Sequence, residues 1–257
     1  MTARDVLTIL GAYARSFGES LVDKPTINKS ILSNNIKFYK TLKWINILAS
    51  FLLFVPVFGS IRDFNLPHMV GYLIMASFGY STWIFQGITG VPIYEETRFL
   101  TLLHLTLHSF FGIWLEFYNN FPLFDDFLHC FGGFWGGFSL FPFIFGSAIA
   151  WSNLPPKAVE WKVWLSGMSI VNMIGVFWEI GEFISDKIFG GYPGYRMAQE
   201  SLDDTMLDLI FNNFGATIGI LLFWWYLKRS KDINTFVRDM GNKLGEFFVK
   251  EKEILRR

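Results

Sequence analysis

Hydrophobic residues along this chain gather into six long runs parted by short polar breaks. The runs are about Thr41–Ser60, Pro67–Ile88, Phe99–Tyr118, Asp125–Trp151, Val163–Phe189 and Asp203–Leu227. A hydrocarbon core of about 30 Å needs roughly 20 mostly apolar residues per helix, so each run predicts a membrane span. Two flanking stretches are amphipathic instead. Val6, Ile9, Leu10, Tyr13, Phe17 and Leu21 recur at helical spacing, as do Phe236, Met240, Leu244, Phe247, Val249 and Leu255, less regularly at the end. The terminal segments that hold them, residues 1–40 and 228–257, are net basic, and such helices lie on an anionic leaflet, collar the bundle or bind a partner. The prediction is an all-α fold: a polytopic transmembrane helical bundle of about six spans, with amphipathic cytoplasmic N- and C-terminal helices. Residues 1–40 and 228–257 then flank a membrane domain of 41–227. Charges run through the first 40 residues with no early apolar core, so no cleavable signal peptide is expected.

Composition supports this class. Charged residues make up 17% and hydrophobic ones 52%, against about 25% charged in a soluble domain. The net charge of zero conceals an asymmetry: with both termini inside, inner segments hold 19 of the 22 Lys and Arg and outer loops hold 3. That bias places the protein in the inner (plasma) membrane with both termini cytoplasmic. The basic residues track one membrane surface, which gives nucleic-acid binding no support. The single cysteine, Cys130, excludes an intramolecular disulfide.

The last four spans each carry a stripe of polar and small residues. His104, His108, Gly112 and Glu116 are four apart; Asp125 and His129 continue into Gly132, Gly133 and Gly136; Asn172 and Gly175 lead to Glu179, Glu182 and Asp186; Asp208, Asn212, Gly215 and Gly219 follow Asp204. Small residues four apart let helix backbones approach, and buried charges turn away from lipid, so the stripes should face one another. At 1.5 Å rise per residue, Glu116 and Asp186 fall near the outer end, Glu179 about 10 Å below it, and His129 and Asp208 about 5–8 Å below it. His104 and His108 are expected deeper, toward the cytoplasm. The loop GGYPGYRMAQESLDDT adds Tyr195, Arg196, Gln199 and Glu200 over this layer, with Ser201 as N-cap of the sixth span.

Carboxylates with histidine suit a divalent metal, Mg²⁺, Mn²⁺ or Zn²⁺. The expected ligands are Asp125, His129, Glu179 and Asp208, with Glu182 or Asp204 as catalytic base. Arg196, Gln199 and Glu116 are the expected substrate contacts, Arg196 toward an anionic head group. On this reading the site binds a membrane lipid head group or a lipid-linked envelope substrate. Two alternatives stand beside it: a proton- or cation-coupled transporter using the same buried acids with His104 and His108, and a non-catalytic accessory protein whose polar groups only join helices. Whether the chain is an enzyme, and whether it forms a homo-oligomer, stays open.

The pattern D-D-x-x-H, then W-E-x-x-E-F, then Q-x-S-L-D-D-T-M-x-D with later N and G-A, over about Asp125 to Gly219, resembles the YjdF-like family of bacterial and archaeal membrane proteins. That group is distantly similar to the VanZ-like family, associated with glycopeptide resistance, which implies the cell envelope. The resemblance marks Asp125, Asp126, His129, Glu179, Glu182, Gln199, Asp203, Asp204 and Asp208 as its polar positions. The first two spans and both amphipathic ends lie outside it.

Overall fold

The computed structural model describes residues 36–151, 156–193, 195–229 and 231–254, and the amphipathic stretch over residues 5–22 lies outside them. The described residues are helical with no strand. Helices α1 (Ile36–Leu52) and α2 (Val55–Arg62) make one nearly continuous stretch; α3 (Leu66–Gly79) and α4 (Ser81–Thr89) follow. Helix α5 (Glu95–Thr106) runs into a π-helical segment, Leu107–Trp114, and the short α6 (Phe117–Asn120). Three long helices then form the centre: α7 (Phe124–Trp151), α8 (Pro156–Phe189) and α9 (Leu202–Arg229), followed by α10 (Lys231–Ile254).

Among the described residues, four stretches are long and apolar enough to cross a membrane: Lys37–Arg62, Phe124–Trp151, Trp161–Phe189 and Leu202–Arg229. Their outward faces expose Phe177, Ile184, Ile210, Phe214 and Leu221, as hydrocarbon-facing helices do. The second and third expected spans are interrupted. The second breaks at Tyr80, between α3 and α4. The turn lets Gly79 sit against Leu53 and Leu102 and brings Trp83 under the guanidinium of Arg98, 5.4 Å from the ring centroid. The third begins with Glu95, Glu96 and Arg98, all buried, and ends in the π segment.

Arg98 falls between the second and third expected spans, among the inner positive charges, and it is only 3% exposed. Its guanidinium donates to Glu95, Gln86 and the Ile93 carbonyl, and Asn46 of α1 donates to the same glutamate. Breaking such a buried pair costs several kcal/mol, about 3–5, because it strands a charge. The network therefore ties α1, α4 and α5 together at one end of the bundle.

Glycine sets the central packing. Gly133 and Gly137 of α7 press on the backbone of Asn212 and Ala216, while Gly215 and Gly219 of α9 press on the backbone of Cys130 and Phe134. A β-carbon at any of the four would strike main chain. Helix α8 docks with Gly175 against the Asn212 amide, and Asn172 Nδ2 donates to Asn213 Oδ1 at 2.8 Å. One such interhelical bond contributes about 0.6 kcal/mol, so close packing carries most of the association. Away from the site, Phe138, Phe141, Phe145, Ile220 and Phe223 form the core. Helix α10 lays Phe236, Val237 and Met240 on it, and Trp151 Nε1 donates to the Gly241 carbonyl at 2.9 Å.

Replacing Gly215 by Ala should therefore destabilise the fold by about 1–3 kcal/mol through overpacking against the Cys130 carbonyl. Gly181 of α8 has open space around it, and Gly181→Ala should be neutral or stabilising. Thermal unfolding of the detergent-solubilised variants checks both; equal melting temperatures for the two would contradict the glycine contact.

Candidate metal centre

The glycine contact between α7 and α9 runs up to Cys130 and Asn212. One turn beyond it, His129 and Asp208 come face to face. His129 Nε2 lies 3.7 Å from Asp208 Oδ1 and 3.6 Å from Asp125 Oδ1, a residue one turn along its own helix. From α8, Glu179 Oε1 approaches the other ring nitrogen, Nδ1, at 3.9 Å. Asp125, His129 and Asp208 bring ligand atoms within 4.8 Å of one another, as do His129, Glu179 and Glu182. Among the described residues these are the groups that could hold a metal ion. Glu179 is 6% exposed and Asp208 2%, so both residues are buried.

The two glutamates are held from behind. Gln199 Nε2 donates to both the backbone carbonyl and Oε2 of Glu179, at 3.1 Å each. Trp178 Nε1 donates to Glu182 Oε1 at 2.8 Å. The loop that supplies Gln199 is pinned by Asp186, whose oxygens accept from the Ala198 and Gln199 amides at 2.8 and 2.9 Å and from the Tyr195 hydroxyl at 3.0 Å. Burial, the main cause, raises the Tyr195 hydroxyl above its ordinary range, which keeps it a donor. Asp186 thus serves the loop and lies outside the two groups. Ser201 caps α9 as its sequence suggested: Ser201 Oγ accepts from the Asp204 amide at 3.1 Å, and Asp204 Oδ2 accepts from the Glu200 amide at 3.1 Å. Half-buried Asp204 is therefore part of a capping arrangement.

Two expected substrate contacts separate. Arg196 is half-buried, pairs with Glu200 at 2.9 Å and lies over the Tyr118 ring, 5.1 Å from its centroid. Glu116 is exposed, two residues past the π segment, in a left-handed conformation at φ 58°. The stripe of residues four apart stops at Gly112 because the π segment and the reversal after it carry Glu116 off that face.

That reversal brings in a residue the spacing did not reveal. Tyr118 folds back onto Gly112, and its hydroxyl lies 2.6 Å from His108 Nδ1. His108 also meets Trp178, the residue whose indole N–H holds Glu182. His104 and His108 accordingly stand beside the acid layer and not deep below it. His104 stacks on Trp135 with rings 5.6 Å apart, and His108 meets Trp178 edge-on at 5.0 Å.

Residues 45–229 match the family model described as "Predicted membrane protein (DUF2238)". The chain belongs to this family. The DUF2238 match begins at Ile45, so it takes in the first two expected spans, which the motif pattern had left out. An "Uncharacterized protein" of Thermotoga maritima is 34% identical over 165 residues, covering 64% of this chain and 81% of that protein. No solved structure matches. The cluster on α7, α8 and α9 lies wholly within the DUF2238 segment, whereas all of α10 lies beyond it.

Asp186→Asn should release the loop. The amide cannot accept as the carboxylate does, and hydrogen bonds to a charged acceptor contribute about 1.5–3 kcal/mol each. Hydrogen–deuterium exchange at the Ala198 and Gln199 amides should speed up markedly while α7 and α9 stay protected. Unchanged exchange at these two amides would remove Asp186 from this role.

Proposed function

We propose that this DUF2238 protein holds a divalent cation at Asp125, His129 and Asp208 and uses it to bind the phosphate of a membrane lipid or lipid-linked envelope substrate. The observation that carries this reading is the spacing around His129. An N–H···O bond needs about 2.7–3.2 Å, and the gaps of 3.6 and 3.7 Å to Asp125 and Asp208 exceed it. Two donors each about 2.1 Å from one ion lie about 3.0–4.2 Å apart, depending on the angle at the ion. The gaps suit a shared cation better than direct pairing.

Glu179 Oε1, 3.9 Å from Nδ1, would close on the second ring N–H when the cation binds, which would fix the tautomer that frees Nε2 for metal. Sequence reading counted Glu179 as a ligand; in this proposal it orients one. Glu182, anchored by Trp178, would be the group placed to accept a proton if a bound cation acidified water there, and Asp204 keeps to the helix cap. Arg196 can exchange exposed Glu200 for an anionic head group. The cation offsets the repulsion among the acids and gives an otherwise anionic site affinity for phosphate. By the bias of Lys and Arg, the site opens on the extracytoplasmic side.

A proton-relay reading draws on the His108–Tyr118 contact. Trp135 weighs against it: the indole covers His104 and donates to Thr101 Oγ1 at 2.9 Å, which walls the histidines from the opposite end.

Purified protein dialysed against Mg²⁺, Mn²⁺ and Zn²⁺ should retain one metal per chain by elemental mass spectrometry. His129→Ala and Asp208→Asn should lose it, and Glu179→Gln should weaken it about 10- to 100-fold, the usual loss for a group supporting a ligand. An impermeant chelator outside right-side-out vesicles should strip the ion. Wild type without metal, or variants that keep it, would refute the proposal; an ion reachable only from within would reverse the orientation.

A further inference from the structure

We infer that the groove between α8 and α9 seats an acyl chain of a phospholipid from the leaflet on the site side, delivering its phosphate sideways to the cluster. This rests on the cation reading above for the head group alone; the chain-binding groove stands on its own geometry. The groove is open along its outer side and offers about 280 Å³. Its walls are Val176, Ile180 and Phe183, one face of α8, and Leu209 of α9. Gln199, Thr205 and buried Glu179 are its polar lining, with Gln199 Nε2 donating to Glu179.

Three features select this occupant. First, both helices are long and apolar enough to cross a membrane, and Val176, Ile180 and Phe183 are exposed on the outward surface. Hydrocarbon is therefore what meets the groove. Second, its polar lining is confined to one height. Gln199 and the first-turn Thr205 stand at the height of Glu179, whose carbonyl and Oε2 accept from Gln199 Nε2, with Phe183 one turn above and the apolar wall continuing below through Val176 and Leu209; from Phe183 to Val176 it spans seven residues, about 10 Å at helical rise. A phospholipid with its phosphate at that height lays its chain on the wall below. The length accommodates the upper part of one acyl chain. Third, Glu179 belongs to both the groove and the cluster. Its Oε2 is held by Gln199, while Oε1 is buried without a hydrogen-bond partner, 3.9 Å from His129 Nδ1. A head group at the mouth of the groove is thus one side chain from the cation ligands. Without a cation the acids would repel phosphate, so chain seating and cation binding should cooperate.

The test uses the full chain in liposomes doped with a phospholipid carrying a photoactivatable group along one acyl chain. Crosslinked peptides are mapped by mass spectrometry, and bound metal is measured on the same samples. Labelling should concentrate on the α8 wall and Leu209, above the exposed α1–α2 face around Phe51 and Phe58. Ile180→Trp, which fills the groove, should reduce it to the level of that face, while Ile188→Trp, exposed on the same helix but outside the groove, should leave it unchanged. Uniform labelling of all exposed faces, or labelling that survives Ile180→Trp, overturns the inference. Concentrated labelling with no metal in any sample would keep the chain groove and dismiss the cation; metal with uniform labelling would do the reverse.

Discussion

The backbone contact between α7 and α9 is the constraint on which the rest depends. Four glycines, Gly133 and Gly137 on one helix and Gly215 and Gly219 on the other, remove the side chains that would hold the axes apart. Lipid offers helices little hydrophobic reason to associate, so close packing must supply it. The consequence is chemical as well as mechanical. At that separation, the next turn of each helix sets an imidazole opposite a carboxylate at 3.7 Å. With larger residues at the crossing, His129 and Asp208 could not share one small ligand.

Buried charge then decides where everything else goes. A charge withdrawn into a membrane protein needs a partner, and this molecule has three solutions. At one end, Arg98 and Glu95 pair directly, with Asn46 and Gln86 completing their hydrogen bonds. On the loop after α8, Asp186 is satisfied by two main-chain amides and a hydroxyl, and becomes a fixed hinge point for Gln199. In the cluster, Asp125, Asp208 and Glu179 converge on one histidine at distances too long for direct bonds. The first two arrangements are closed, whereas the third is the one that a cation would complete.

How much of this the sequence disclosed depends on whether regular helix geometry held. Residues four apart on α7, α8 and α9 share a face in any straight helix, so the meeting of Asp125, His129, Glu179, Glu182 and Asp208 was legible from spacing alone. So was the Ser201 cap, since serine followed by acids in a first turn has a local cause. What failed to show were departures from regularity. The break at Tyr80 has no proline to announce it, because it follows from where Trp83 and Gln86 must reach. The π segment put Glu116 into solvent and turned Tyr118 inward. Arg98 fell between expected spans beside its partner Glu95, and nothing near the pair in sequence reveals Asn46, which donates to Glu95 from 49 positions earlier. These are tertiary facts, and local pattern carries no record of them.

The central claim is that one divalent cation sits between α7 and α9 at His129. Anomalous diffraction from crystals grown with Mn²⁺ tests it most directly. The account predicts a single strong peak about 2.0–2.2 Å from His129 Nε2 and from oxygens of Asp125 and Asp208, with Glu179 hydrogen-bonded to Nδ1. A well-ordered site with no anomalous peak, its acids paired to one another or to His129 within hydrogen-bond distance, would contradict it.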